Sequence, residues 1–267
     1  MHNLQTLRKQ IVEVGCRTYE RGYVASNDGN ISARIDDKRV VISPTGVSKG
    51  FMKPEDMVVV DMNGKVMGGS GKPSSEVFMH IQVYKDRPDV NSVCHAHPPY
   101  ATGFAVAGIP LDQCVLPEVI IALGNIPIVE YGTPGTEEFY RPVVKLLPDY
   151  DAFLLANHGA LTVGKDVISA YHKMETLEHF AHIAFVARQL GHTTTLSNEQ
   201  VKKLTDLRSK YGISTTVGCV TCETEGSCEL HPNGIGNNPS SGSLSYAERE
   251  QLVKEITNNI VQQINRK

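Results

Sequence analysis

Residues 74–97 read SSEVFMHIQVYKDRPDVNSVCHAH, and this stretch decides the fold. Its first part, 74–84, is patterned as a helix opened by serines, which suit the unpaired backbone N–H groups of a helix start. Its last part, 89–97, is an apolar run that ends in polar residues, the pattern of a strand reaching the end of its sheet. Toward the N-terminus, MVVVDMNGKVMGG at 57–69 reads as a hairpin turned at Asn63-Gly64, and 31–37 and 38–46 read as strands bounded by Asp-Asp and Pro-Thr-Gly. Residues 4–22 place Leu4, Leu7, Ile11 and Val14 at helical spacing until ASNDGNIS breaks the period. Toward the C-terminus, DAFLLANH at 151–158 is a buried strand ending at a histidine, and 167–190 and 198–211 are helices. Strands mixed with helices, without regular βαβ alternation, point to an α+β or layered α/β/α domain rather than a doubly wound one.

The 267 residues, 40% of them hydrophobic, are enough to bury one sizeable core. A net charge of −3 gives no basic footprint for nucleic acid or a membrane surface. No stretch approaches the roughly 18 apolar residues of a membrane span, and the N-terminus lacks the basic and apolar regions of a signal peptide, so a cytoplasmic protein is expected. After Gly212 the chain becomes rich in Gly, Ser, Thr, Asn and Pro, which marks 213–242 as a linker. In 243–267, Ser245 and Glu248 have capping-box spacing, and Val253, Ile256, Ile260 and Ile264 share one face of an amphipathic helix. Cys219, Cys222 and Cys228 in the linker are too few to close a zinc site by themselves.

His95 and His97 stand two apart at the end of the 89–97 strand, so both imidazoles leave the same side of the sheet. His158 ends the 151–158 strand and precedes a glycine, at which the backbone can turn away. Each histidine alone is as consistent with a structural group as with a ligand, but three imidazoles with one position left open form a recognised catalytic zinc arrangement. A second set, His172, Glu175, His179 and His182, falls on one face of the 167–190 helix and reads as a solvated or intersubunit face. Three small-residue segments, Gly29-Asn30-Ile31-Ser32, Ser43-Pro44-Thr45-Gly46 and Pro73-Ser74-Ser75-Glu76, can present backbone and side-chain donors to an anion, the third at a helix start. Glu76, beside that cradle, is placed to carry a proton to or from a carbon acid. His80, one turn later, either supports Glu76 or faces the core.

In this order, G-N-I-S, S-P-T-G, P-S-S-E, H-A-H-P and N-H-G-A resemble the class II aldolase and adducin family, most closely its fuculose-1-phosphate aldolase branch, over residues 1–212. The resemblance implies a three-layer α/β/α domain with a mixed, largely antiparallel sheet and a homotetramer with interfacial active sites. It also implies one zinc ion (Zn2+) per subunit on His95, His97 and His158. Asn30, Thr45, Gly46, Ser74 and Ser75 match that branch's phosphate-binding positions, and Glu76 its acid/base. The implied reaction cleaves L-fuculose 1-phosphate or L-rhamnulose 1-phosphate to dihydroxyacetone phosphate and L-lactaldehyde. Related 4-epimerases carry aspartate in place of Glu76. Related dehydratases use a glutamate downstream of the H-x-H, where this chain has Glu118, and the aldolases' tyrosine near that point does not align here. Dehydratase, decarboxylase and epimerase therefore stand as alternatives, and adducin-like members, which lose the histidines, as a non-catalytic one. The tethered helix at 243–267 resembles an encapsulation peptide, which implies shell or cargo proteins of a bacterial microcompartment as partners.

Overall fold

A computed structural model describes residues 3–213, 215, 217 and 218. The chain opens with α1 (Leu4–Glu20), capped by Asn3 Oδ1, which accepts from the Gln5 and Thr6 amides at 2.9 and 3.2 Å. There follow β1 (Asn30–Asp36), β2 (Arg39–Ile42), β3 (Val58–Asp61), β4 (Val66–Gly68), α2 (Val77–Asp86) and β5 (Ser92–Ala96). The second half holds α3 (Pro99–Ala107), α4 (Pro117–Ala122), β6 (Ile128–Val129), α5 (Glu137–Leu146), β7 (Ala152–Leu155), β8 (Gly159–Gly164), α6 (Val167–Gln189) and α7 (Asn198–Lys210). All eight strands form one sheet in the order β4-β3-β2-β1-β5-β8-β7-β6, antiparallel at every step except β6 against β7. The mixed, mostly antiparallel sheet expected from the resemblance is present.

Side-chain alternation sorts the strands into two buried faces. Ile31, Ala33 and Ile35 of β1, Cys94 and Ala96 of β5, Ala152 and Leu154 of β7 and Ala160 of β8 enter one apolar core with residues of α1, α3 and α6. Val40 and Ile42 of β2, Val93 of β5, Phe153 and Leu155 of β7 and Leu161 and Val163 of β8 enter a second core with α2 and α5. The sheet thus lies between two helical layers. His95 shares the parity of Val93 and lies opposite Asn30 on β1 and Leu161 on β8, which aims it at the α2 layer.

Several elements depart from the sequence reading. Helix α2 starts at Val77, with Glu76 as its N-cap, rather than at the serines. The strand before His158 ends at Leu155; Asn157 is left-handed at φ 55°, and His158 sits in the turn to β8 with its N–H on the Leu155 carbonyl at 3.0 Å. Strands β6 and β8 and helices α3, α4 and α5 were not anticipated. Beyond Gly218, the expected linker and the helix at 243–267 lie outside the described residues. Within the first residues of that expected linker, Thr215 accepts two hydrogen bonds from Arg208, and the Gly218 N–H donates to Asn125 Oδ1 at 3.0 Å.

Candidate active site

Where β5 ends and the β7–β8 turn begins, His95, His97 and His158 converge, their ligand atoms within 4.8 Å of one another. His95 Nδ1–H donates to the Ala160 carbonyl at 2.8 Å, which leaves Nε2 unprotonated and facing His97 Nε2 and His158 Nε2, each 3.1 Å away. Burial pushes the His95 pKa down to about 3, so its imidazole is neutral, the form that ligates. His97 is also held below its ordinary pKa, by burial and then by His158, while Asp28 Oδ2 lies 3.6 Å from its Nδ1. With all three ring nitrogens turned inward as lone pairs, a cation between them would relieve their mutual repulsion. Tetrahedral ligands at about 2.0–2.1 Å stand about 3.3–3.4 Å apart, near the observed spacing. The donor set is therefore consistent with a divalent metal.

The backbone allows this approach at Gly159, where an added Cβ would lie 2.6 Å from both His97 Cδ2 and the Ala96 carbonyl. Phe139 of α5 braces the His158 ring edge-on at 5.0 Å.

Glu76 closes the remaining side. Its Oε1 lies 3.1 Å from His158 Nε2 and its Oε2 3.3 Å from His95 Nε2, and Asn30 Nδ2 donates to Oε2 at 2.6 Å. Burial favours the protonated acid, while positive charge on the His95 and His158 side of the site and the Asn30 amide favour the carboxylate and hold Glu76 below the ordinary carboxylate range. A buried carboxylate beside a cation site, with one oxygen fixed by an amide, is equipped to take a proton from a bound carbon acid.

The three small-residue segments are drawn together around Glu76. Pro44 and Pro73 form a β-bridge, and the Thr45 N–H donates to the Lys72 carbonyl at 3.0 Å. Ser43 Oγ accepts from the Ile31 N–H at 3.1 Å. Thr45, Gly46 and Ser75 are exposed, and Gly46 has φ 73° with open space where a Cβ would stand. Ser74 is buried and already serves the turn: its Oγ accepts from the Glu76 N–H at 3.2 Å and its carbonyl from the Val77 N–H at 3.1 Å. Among the described residues, Asn30 Nδ2 donates to Glu76 alone, which leaves its second amide hydrogen for a ligand.

Glu118 is exposed in the first turn of α4 and is not drawn into the triad. On α6, Tyr100 stacks on His182 at 3.9 Å and Arg21 pairs with Glu175 at 2.5 Å. Among the described residues only the triad gathers as a metal-binding group, so this helix face is not one. Sequence reasoning passed over Asp28 and Lys49. Lys49 is buried, with Nζ donating to the Asn27 and Val47 carbonyls at 3.1 and 2.9 Å, so it ties together the two loops that carry Asn30 and Thr45.

Residues 9–185 match the model of the class II aldolase and adducin N-terminal domain. Over 207 residues the chain is 32% identical to the 3-oxo-tetronate 4-phosphate decarboxylase of Haemophilus influenzae, covering 76% of this chain and 94% of that protein. It is 37% identical over 176 residues to the L-fuculose phosphate aldolase of Methanococcus maripaludis, covering 66% and 94%. The crystal structure of YgbL from Klebsiella pneumoniae superposes with a TM-score of 0.72 at 31% identity, covering 76% of this chain and all of that one.

Proposed function

The chain belongs to the class II aldolase and adducin family, and on that premise we propose that it is a zinc-dependent aldehyde-lyase cleaving L-fuculose 1-phosphate or L-rhamnulose 1-phosphate. The products are dihydroxyacetone phosphate and L-lactaldehyde. One observation carries this reading: a buried carboxylate, fixed by an amide, faces a triad of convergent imidazoles beside an open cradle of small residues. His95, His97 and His158 would hold the metal. Bound there, a zinc ion supplies a Lewis acid for the ketose carbonyl and its neighbouring hydroxyl.

Thr45, Gly46, Ser74, Ser75 and the free amide hydrogen of Asn30 take the phosphate in this reading. In cleavage, the C4 hydroxyl gives up its proton to solvent as the C3–C4 bond breaks; that carbon becomes the aldehyde, and the bonding pair passes into an enediolate. Glu76, after taking a proton from solvent, delivers it to C3 of the enediolate and returns to the carboxylate. In synthesis its carboxylate removes the same proton, and the carboxylate is the form this site favours. We carry two further expectations into the proposal: a homotetramer with interfacial active sites, and recruitment to a microcompartment through 243–267. A fluorescent reporter fused to 243–267 that stays diffuse in shell-forming cells removes the second.

The decarboxylase similarity favours a second reading of the same site. A 3-oxo-tetronate 4-phosphate that loses its carboxyl group leaves the C1–C2 electron pair on the same enediolate, and one protonation again gives dihydroxyacetone phosphate. That product does not separate the two readings; the co-product does. Metal-loaded protein incubated with each substrate should release L-lactaldehyde from the ketose phosphate, and chelator should stop it. Carbon dioxide from the oxo-acid alone moves the assignment to decarboxylase. Neither product from metal-replete protein rejects both.

A further inference from the structure

Glu76 and Asn30 stand at the end of a buried hydrogen-bonded chain whose other members, His80, Ser32 and Tyr84, the chemistry above does not use. From α2, Tyr84 Oη lies 2.6 Å from Ser32 Oγ, Ser32 Oγ 2.6 Å from His80 Nδ1, His80 Nε2 2.5 Å from Asn30 Oδ1, and Asn30 Nδ2 2.6 Å from Glu76 Oε2. Every member is at most 7% exposed. Hydrogen-bond logic fixes the direction of each link. A carboxylate only accepts, so the Asn30 amide must donate to Glu76 and its carbonyl oxygen must face His80. That oxygen also only accepts, so His80 carries its proton on Nε2. The remaining Nδ1 lone pair takes the Ser32 hydroxyl proton, which frees the Ser32 oxygen to accept from Tyr84. Burial pushes the His80 pKa down to about 4, which agrees with a neutral ring.

We propose that His80 is a positioning residue: as the neutral Nε2–H tautomer it locks the Asn30 amide so that its N–H, not its oxygen, meets Glu76. With His80 absent, Asn30 can turn about its last torsion, and its oxygen then confronts the carboxylate. The chain does not carry protons, because an amide at its fourth member neither gains nor gives one on the reaction's course. Its work is to aim one oxygen of Glu76. The pattern rests on Glu76 being the proton carrier, and His80 lies i+4 from it, one helical turn away.

Two arms test this on the full-length, zinc-loaded protein. Nitrogen-15 histidine NMR, with His80 assigned by comparison with His80→Gln, should show Nε2 protonated and Nδ1 bare; the opposite tautomer overturns the inference whatever the enzyme's substrate. In kinetics, His80→Leu should lower kcat about 10- to 100-fold with KM and zinc content unchanged, the scale of one hydrogen bond to a charged group. His80→Gln, which keeps an N–H near Asn30 Oδ1, should recover most of that loss. Equal losses in both variants, or loss of zinc or a raised KM in place of lowered kcat, make His80 a packing residue and overturn the proposal. A wild type inactive on all the substrates above would reject the functional reading instead, and the NMR arm alone would then decide the tautomer.

Discussion

Cys94 and Ala96 of β5 look into an apolar core built with α1, α3 and α6, while Val93 and His95, each one residue away, look toward α2. On that second side, Ser32, His80, Tyr84, Asn30 and Glu76 are buried together and joined by hydrogen bonds. Buried polar groups cost free energy unless paired, so this network has to be specified partner by partner, whereas the apolar packing around it needs shape and volume. Among the described residues, the buried side-chain atoms without a hydrogen bond belong to Arg8, Ser48 and Thr102, none of them in this network. A strand buried on both sides therefore lets both faces stabilise the fold by apolar packing, while the second face also holds the chemistry still.

The largest expected effect is at the triad. His158→Ala should lose metal, measured by elemental analysis, and turnover together; full turnover with metal retained would detach the triad from the chemistry. Next, Glu76→Gln should lower kcat by about 10²–10⁴-fold with metal still bound, the usual range for a general acid/base. On the other face, Met174→Ala should cost about 2–5 kcal/mol in urea unfolding while kcat per folded molecule holds, since Met174 is fully buried in the apolar core. A folded Met174→Ala protein with lost activity would break the division of duties. The smallest change is Tyr84→Phe, about 0.5–1.5 kcal/mol of stability with little change in kcat, because Ser32 still has its own proton for His80.

Apolar periodicity made α1, α2 and α6 legible, because each buries one face against the sheet, whereas α7 packs on α4 and buries Arg208. Strand β8 was not legible: GALTVG carries two glycines and a threonine and has little β-patterning alone, yet pairing on both sides places it centrally. The pairing of β1 with β5 is likewise a long-range choice that local patterning does not record. In the site, residue types and order pointed to the three histidines and Glu76. What stayed hidden was partnership: Asn30 fixing Glu76, His80 fixing Asn30, and Lys49 and Arg208 buried by backbone carbonyls. Arg208 sits on a polar-looking helix but donates to the carbonyls of Ile120 and Ile121 at 2.7 Å each, docking α7 on α4. Long charged side chains are ordinarily read as solvated, and nothing in their local sequence says otherwise.

The most direct test of the central claim, that Glu76 moves the proton beside the histidine-held metal, needs no aldehyde. Zinc-loaded wild type incubated with dihydroxyacetone phosphate in deuterium oxide should exchange one hydrogen on the hydroxymethyl carbon, and chelator should abolish the exchange. Glu76→Gln with zinc still bound should leave that carbon unlabelled. Labelling at the wild-type rate in Glu76→Gln would contradict the account and assign the proton to another residue.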